Sequence, residues 1–333
     1  MRAVVLTGHG GPEVLQVQER PAPDRPRGGQ ALVDVRAAGI NFADTMARVG
    51  LYPDAPKAPC VVGYEVAGTV AAVGPGVDGV SEGDRVMAGT RFGGYSEQVL
   101  VNASDAIALP DRLTFEQGAA IPVNYATAWA GLVRYGSLRA GERVLIHAAA
   151  GGVGIAAIQI AKHEGAEVWG TASASKHDTI RALGCDHTLD YRSSGWERDL
   201  PSFDVVMDAI GGRSFRTSYD LLRPGGRLVC FGASAVTSGE KRNLLTAART
   251  VIRMPRFNLV KQMSQSKAVI GLNMLRLWDD AKTLDPWIEP LRALMGDGTI
   301  APVVAEAFPF DRAPDAHRML AERRNVGKVV LVP

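Results

Sequence analysis

Residues 143–173 constrain the fold of this chain more than any other stretch. A short apolar run, Val144, Leu145 and Ile146, leads into a turn of Ala148, Ala149, Ala150, Gly151, Gly152, Val153 and Gly154. Val153, Ala156, Ala157, Ile160 and Ala161 then recur at helical spacing, Gly165 stands where a helix stops, and Val168 and Trp169 open a second apolar run. The order is strand, tight turn, helix, strand. Small residues in such a turn let the backbone approach a pyrophosphate, whose charge the helix N-terminus receives through its amides and dipole. Of the three positions of the dinucleotide fingerprint, Ala149 holds the first, where glycine is usual, and Gly151 and Gly154 hold the others. The flanking strands distinguish this pattern from a Gly/Ala-rich helix start that merely packs closely on a sheet.

The residues after the second strand bear on the choice of nicotinamide cofactor. An NAD-selective site usually carries Asp or Glu about 20 residues on, accepting from the ribose 2′-hydroxyl. Here the chain continues as Thr171, Ala172, Ser173, Ala174, Ser175 and Lys176, without a carboxylate. A 2′-phosphate meets no repulsion there, and the Ser173 hydroxyl and Lys176 ammonium are candidates to hold it. The expectation is NADPH rather than NADH, although Lys176 also reads as a solvated residue opening the next helix.

Length and charge bound the rest. The 333 residues suit two domains with two buried cores. A balance of 37 basic against 35 acidic residues gives no electrostatic case for a nucleic-acid partner. Cys60, Cys185 and Cys230 lie far apart, each in or beside an apolar run, so buried free thiols are expected rather than a disulfide framework or a metal cluster. Residues 1–6 already read as a strand, which argues against a secretory leader. Residues 144–161 are apolar enough to suggest a membrane span, but Gly151, Gly152, Gly154, His147 and Gln159 assign them to the nucleotide turn and its helix. A soluble, cytoplasmic protein is expected.

In chain order, residues 1–122 read as mostly β. Short runs at 3–6, 15–17, 31–35, 65–73 and 99–101, separated by turn residues, suggest a partly open barrel. Thr114 and Gln117 form a candidate capping box. From 123 to 272 strand and helix alternate, with further strands at 187–189, 203–207, 227–231 and 268–271, helices around 176–183 and 213–222, and a Pro224-Gly225-Gly226 turn into the fifth strand. This predicts a doubly wound parallel sheet with ligand at the carboxyl ends of its strands. Residues 273–333 offer helices near 285–295 and 314–323 and a last strand at 329–332. The expected fold class is α/β, with a discontinuous barrel domain (1–122 and 273–333) and a Rossmann domain (123–272).

Six segments carry a family resemblance: Gly39-Ile40-Asn41-Phe42-Ala43-Asp44, Gly50-Leu51-Tyr52-Pro53, Gly63-Tyr64-Glu65-Val66-Ala67-Gly68, Asn124-Tyr125-Ala126-Thr127-Ala128, the turn from His147 to Gly154, and the ending Asn325-Val326-Gly327-Lys328-Val329-Val330-Leu331. Together they resemble the medium-chain dehydrogenase/reductase superfamily, and within it the zinc-independent quinone oxidoreductases related to zeta-crystallin. The tail and Lys241-Arg242-Asn243-Leu244 look most like the branch containing a vertebrate synaptic-vesicle membrane protein. The resemblance implies a GroES-like catalytic barrel, a homodimer, and cofactor contacts from Thr127, Gly152, Val153, Tyr191, Phe231 and Asn325 besides the residues above. Zinc alcohol dehydrogenases of the superfamily place a cysteine where this chain has Asn41 and a histidine where it has Tyr64. Amide and phenol are poor zinc ligands, the four-cysteine cluster of a structural site is absent, and the six histidines show no ligand spacing. No catalytic metal is expected.

Without a metal, an oxygen gaining charge during hydride transfer needs hydrogen-bond donors. The resemblance implies Asn41 and Tyr52 in that role, supported by Asp44 and Arg48, with Thr127 and Tyr64 near the nicotinamide. Tyr52 occupies the place of a proposed proton donor in related enoyl-thioester reductases. The residues alone also allow Asn41 to cap the helix running to Arg48, Asp44 and Arg48 to form an i,i+4 pair, and Tyr52 to fill a loop before Pro53. Quinone reduction is the expected activity. Reduction of α,β-unsaturated carbonyls and an NADPH-binding regulatory role are the alternatives. Between 234 and 266, Lys241, Arg242, Arg249, Arg253, Arg256 and Lys261 interleave with apolar residues, and Pro255 interrupts any helix. That stretch reads as a cover over the site or a dimer contact, alternatively as a basic amphipathic surface touching anionic membrane.

Overall fold

The computed structural model describes residues 1–236 and 244–333. The chain divides into two units, one comprising Met1–Val123 and Leu275–Pro333, the other the described residues between them.

The first unit opens with eight strands: β1 (Arg2–Leu6), β2 (Leu15–Glu19), β3 (Gln30–Gly39), β4 (Cys60–Val61), β5 (Glu65–Val73), β6 (Arg85–Gly89), β7 (Gln98–Asn102) and β8 (Ala106–Ala108). β1 lies between β2 and β4, while β3, β5, β6 and β8 form a consecutive antiparallel run, with β7 on the other edge of β3. The backbone of residues 95–97 stitches the two sheets, because Val4 N–H donates to the Tyr95 carbonyl and Val35 N–H to the Glu97 carbonyl, both at 2.8 Å. Along β3 the inward residues Ala31, Val33 and Val35 alternate with more exposed ones, the period of a strand with one face on a core. This is the partly open barrel. Thr114 and Gln117 form the expected capping box, each side chain accepting from the other's backbone N–H, at 3.2 and 3.0 Å.

The second unit is a single parallel sheet built from β9 (Arg143–Ile146), β10 (Glu167–Ala172), β11 (His187–Asp190), β12 (Phe203–Asp208), β13 (Leu222–Cys230) and β14 (Ala268–Gly271). Its order is β11-β10-β9-β12-β13-β14, so the winding reverses between β9 and β12 and opens a crevice at their carboxyl ends. Every residue of β12 is buried, as a central parallel strand covered on both faces must be. The chain then returns to the first unit through β15 (Val304–Pro309), parallel to β16 (Lys328–Val332), which pairs antiparallel with β3.

Several local expectations need correction. Pro224-Gly225-Gly226 does not precede the fifth strand but bulges within it: Phe203 faces Leu222 and Val205 already faces Arg227, with Gly225 taking φ +84°. The single helix expected near 285–295 is three short pieces, Asp285–Ile288, Glu289–Leu291 and Arg292–Asp297, because Pro290 cannot donate to the helical ladder. The helix Met274–Ala281, with Leu275 and Trp278 buried, was not expected from sequence. Of the three free thiols only Cys185 is fully buried. Residues 144–161 are a strand, a turn and a helix, and among the described residues no helix is long and apolar enough to cross a membrane. In the basic stretch, Lys241 and Arg242 lie outside the described residues. Beyond them the helices Leu244–Ile252 and Leu259–Gln265 flank Pro255, as expected, and Val251, Ile252, Leu259, Val260 and Met263 are 57–81% exposed.

Candidate active site

In the first unit the candidate catalytic residues converge on the end of β3. Asn41 precedes the helix Phe42–Arg48 in extended conformation, and the Asp44 carboxylate accepts from its backbone N–H at 2.7 Å, the return half of a capping box. The Asn41 side-chain amide also reaches beyond the helix start. Nδ2 donates to Glu65 Oε1 at 2.9 Å, and Oδ1 accepts from Lys328 Nζ at 2.7 Å. Lys328 also donates to Glu65, whose other oxygen accepts from the Val123 N–H at 2.7 Å. Asn41, Glu65 and Lys328 are all buried. Neither Glu65 nor Lys328 was assigned a role from sequence, although both fall inside the motifs. Their only signal is a charged residue opening an otherwise apolar strand.

Asp44 is completely buried. It accepts further bonds from the Gly63 N–H at 3.1 Å and the Tyr95 hydroxyl at 3.0 Å, yet desolvation prevails and pushes its carboxyl up to about 6. Arg48, equally buried, donates to the Gly10 carbonyl at 2.6 Å. His317 Nε2 lies 3.4 Å from the Tyr95 oxygen, and since that hydroxyl gives its proton to Asp44, Nε2 is the N–H side of the ring. Burial and the nearby Arg48 guanidinium hold His317 down at about 3, so the imidazole is neutral.

Tyr52 stands in the loop after that helix, partly buried, with its ring edge to face against Tyr64 at 6.1 Å, and Phe92 tilts on Tyr64 at 4.9 Å. Burial raises both phenols above the ordinary tyrosine value, so each keeps its proton at neutral pH and remains a hydrogen-bond donor. Asp54, two residues beyond Tyr52, is tied to Arg276 at 2.5 Å. Asn325 lies near the last strand and donates from Nδ2 to the Gly327 carbonyl at 2.7 Å, bracing the turn into β16.

In the second unit the remaining candidates other than Thr127 gather at the carboxyl edge of one sheet. The turn Ala149–Gly154 comes after β9. Ser173 and Lys176 come after β10, Tyr191 after β11 and Phe231 after β13. The pairing of Ala172 with Asp190 makes Ser173 and Tyr191 the first residues beyond neighbouring strands. Thr127 is buried in the helix Pro122–Trp129. Lys176 ends a short 3-10 turn and so precedes the next helix, His177–Ala182, rather than lying in it.

The glycines of the turn differ in what they permit. A Cβ on Gly154 would lie 2.4 Å from the Ala148 oxygen and 2.7 Å from Ala149 Cα, so Gly154 serves close packing of helix on strand. On Gly152 it would meet the Asn124 amide at 2.4 Å. On Gly151 it would meet only the Ala148 oxygen, at 3.3 Å. Gly151 is the N-cap of the helix Gly152–His163, whose first N–H groups have no intrahelical partner. Ala149 at the first fingerprint position is matched by Gly170 on β10, where a Cβ would come 2.9 Å from that of Ala149.

His147 secures the strand ends below this turn. Ser218 gives its proton to Asp208 at 2.7 Å, so His147 Nε2 donates to Ser218 at 3.0 Å and Nδ1 accepts from Thr171 at 3.1 Å. Burial lowers the His147 pKa, consistent with this neutral tautomer.

Comparison with known proteins extends over both units. Residues 27–111 match the alcohol dehydrogenase GroES-like domain and residues 183–331 the zinc-binding dehydrogenase family. The chain is 40% identical over 340 residues to the synaptic vesicle membrane protein VAT-1 homolog of Rattus norvegicus, covering 100% of this chain and 84% of the relative. Escherichia coli quinone oxidoreductase complexed with NADPH superposes with a TM-score of 0.86 at 32% identity, covering 100% of both chains. The CurK enoyl reductase superposes with a TM-score of 0.85 at 26% identity, covering 99% of this chain and 98% of its own.

The zinc in one family name does not fit the residues present. Among the described residues no group of three or more His, Cys, Asp or Glu side chains is placed to hold a metal ion. Where a divalent cation would need acceptors, the Lys328 ammonium already lies against Asn41 and Glu65.

Proposed function

This chain belongs to the medium-chain dehydrogenase/reductase superfamily, and from that membership we propose that it is an NADPH-dependent, zinc-independent reductase acting on quinones. The first unit is then the catalytic domain and the second the cofactor domain. The observation that carries the proposal is the Asn41 site: a fixed amide and two protonated phenols offer hydrogen-bond donors where a metal enzyme of the superfamily offers ligands. NADPH, when bound, supplies hydride. Backbone amides at Gly151–Gly154 receive its pyrophosphate, and Ser173, Lys176 and Tyr191, together beyond β10 and β11, receive the 2′-phosphate end. Asn41 and Tyr52 stabilise the charge that develops on a quinone oxygen, and water can protonate the product.

The test is NADPH consumption by the pure protein against matched panels of quinones and α,β-unsaturated aldehydes or ketones, with NADH as the control. Fast turnover of quinones with NADPH supports the proposal, and NADPH binding without turnover on any acceptor sinks it. The Lys176→Ala enzyme is expected to lose about 10- to 100-fold of its preference for NADPH over NADH, since a charge-assisted contact is worth about 1.5 to 3 kcal/mol. An unchanged preference removes Lys176 from the phosphate site.

Alkene reduction is the second reading, favoured by Tyr52. Delivering a proton to carbon requires a positioned acid, which quinone reduction does not. Tyr52→Phe is therefore expected to slow enone turnover by about 100-fold while changing quinone turnover by about tenfold or less. Equal losses on both substrates would make Tyr52 a binding group. Homodimeric assembly is part of the proposal, supported by the five exposed apolar side chains between Val251 and Met263.

A further inference from the structure

We propose that Lys328 and Glu65 are positioning residues that lock the Asn41 amide with its N–H side, not its carbonyl, available to the acceptor. The inference rests on the reading of Asn41 as a donor to substrate and deepens it.

An asparagine side chain presents either an acceptor or a donor, and the two orientations are nearly isosteric. Here the neighbours decide. Lys328 has only donors and sits 2.7 Å from Oδ1, while the Glu65 carboxylate has only acceptors and sits 2.9 Å from Nδ2. Turning the amide over would set a carbonyl against a carboxylate and an N–H₂ against an ammonium. One Nδ2 hydrogen is spent on Glu65, and the second is the donor the amide has left, which suits an oxygen gaining negative charge.

The anchor is built through a gap in the sheet. Gly39 is paired with Glu65 on β5 and with Val330 on β16, so it lies between the two strands that carry the ion pair. A Cβ on Gly39 would stand 2.8 Å from both Glu65 Cγ and Lys328 Cε. It would also stand 2.2 Å from the Ala119 carbonyl oxygen, so the absence of a side chain on Gly39 lets all three groups close in together. Asp44 fixes the other half of the same residue by holding the Asn41 backbone N–H at 2.7 Å.

Removing Lys328 alone would strand a buried carboxylate, so the test uses Lys328→Met/Glu65→Met, which removes both charges and the acceptor for Asn41 Nδ2 together. In protein labelled with ¹⁵N-asparagine, the Asn41 side-chain signals are assigned by their loss in Asn41→Ala. One Nδ2 proton is expected downfield and protected from exchange in the wild type, and neither in the double variant. Identical signals in the two proteins overturn the anchor, whatever the activity.

The kinetic arm uses the acceptor turned over fastest. The double variant is expected to lose about 10- to 100-fold in kcat with its Kd for NADPH unchanged. Adding Asn41→Ala to it is expected to leave kcat within about twofold of Asn41→Ala alone, because both changes remove one interaction. Multiplicative losses overturn the proposal. Wild-type kcat in Asn41→Ala overturns the donor reading of Asn41 and the catalytic consequence drawn here, while the NMR signals still report whether the amide is anchored.

Discussion

Between about pH 6.5 and pH 3.5, the wild type is expected to lose about 4 kcal/mol more stability than a His317→Phe variant. His317 is completely buried, its Nδ1 has no hydrogen-bond partner among the described residues, and the Arg48 guanidinium is near, so accepting a proton is costly. Its pKa falls from 6.5 in the unfolded chain to about 3 in the fold. A depressed histidine contributes stability that is fully present above the unfolded value and is lost as pH falls towards the folded one. Asp44 acts in the opposite sense: its carboxyl is raised from 3.8 to about 6, so its contribution is present in acid and is lost as pH rises through 6. Both proteins keep Asp44, and the difference between them isolates the imidazole. Denaturant unfolding at a series of pH values measures it, and parallel stability curves for the two proteins would refute the assignment.

Gly154→Ala and Gly151→Ala are expected to fail in different ways. The methyl on Gly154 meets backbone atoms at 2.4 and 2.7 Å that cannot step aside, so the second unit should lose about 3 kcal/mol and NADPH binding with it. The methyl on Gly151 meets a single oxygen at 3.3 Å, and its backbone, at φ −82°, is open to any residue. Stability there should change by less than about 1 kcal/mol while affinity for NADPH drops by about tenfold or more, because in the proposed binding mode the methyl stands where the pyrophosphate approaches. Thermal unfolding with and without NADPH separates the two cases. A Gly151→Ala protein that binds NADPH normally would exclude the phosphate from that face of the turn.

These two glycines also mark how far local pattern reaches. The strand, turn and helix around Gly151, the capping box at Thr114 and the helix break at Pro255 were legible because each depends on residues within a few positions of one another. Which turn glycine packs and which leaves room was not legible, since that depends on the position of Ala148 and Asn124 in space. The errors of detail had two origins, one tertiary and one local. The Pro224-Gly225-Gly226 bulge is set by register with β12, and the broken helix after Asp285 by Pro290 within an otherwise periodic run.

Residue order was enough to specify the class of the fold and the strand, turn and helix of the dinucleotide fingerprint, while the family resemblance singled out Asn41, Asp44, Tyr52 and Tyr64 as candidates. Periodicity and turn chemistry are local, and a motif preserves residue identity. The surroundings of those side chains emerged only in three dimensions. Lys328 reaches Asn41 across 287 positions and His317 reaches Tyr95 across 222, and they meet because the last strand and helix return to the first barrel. Hydrogen-bond direction, burial and the resulting pKa shifts belong to those long-range contacts, since they depend on which donors and acceptors the fold brings within about 3 Å of each other.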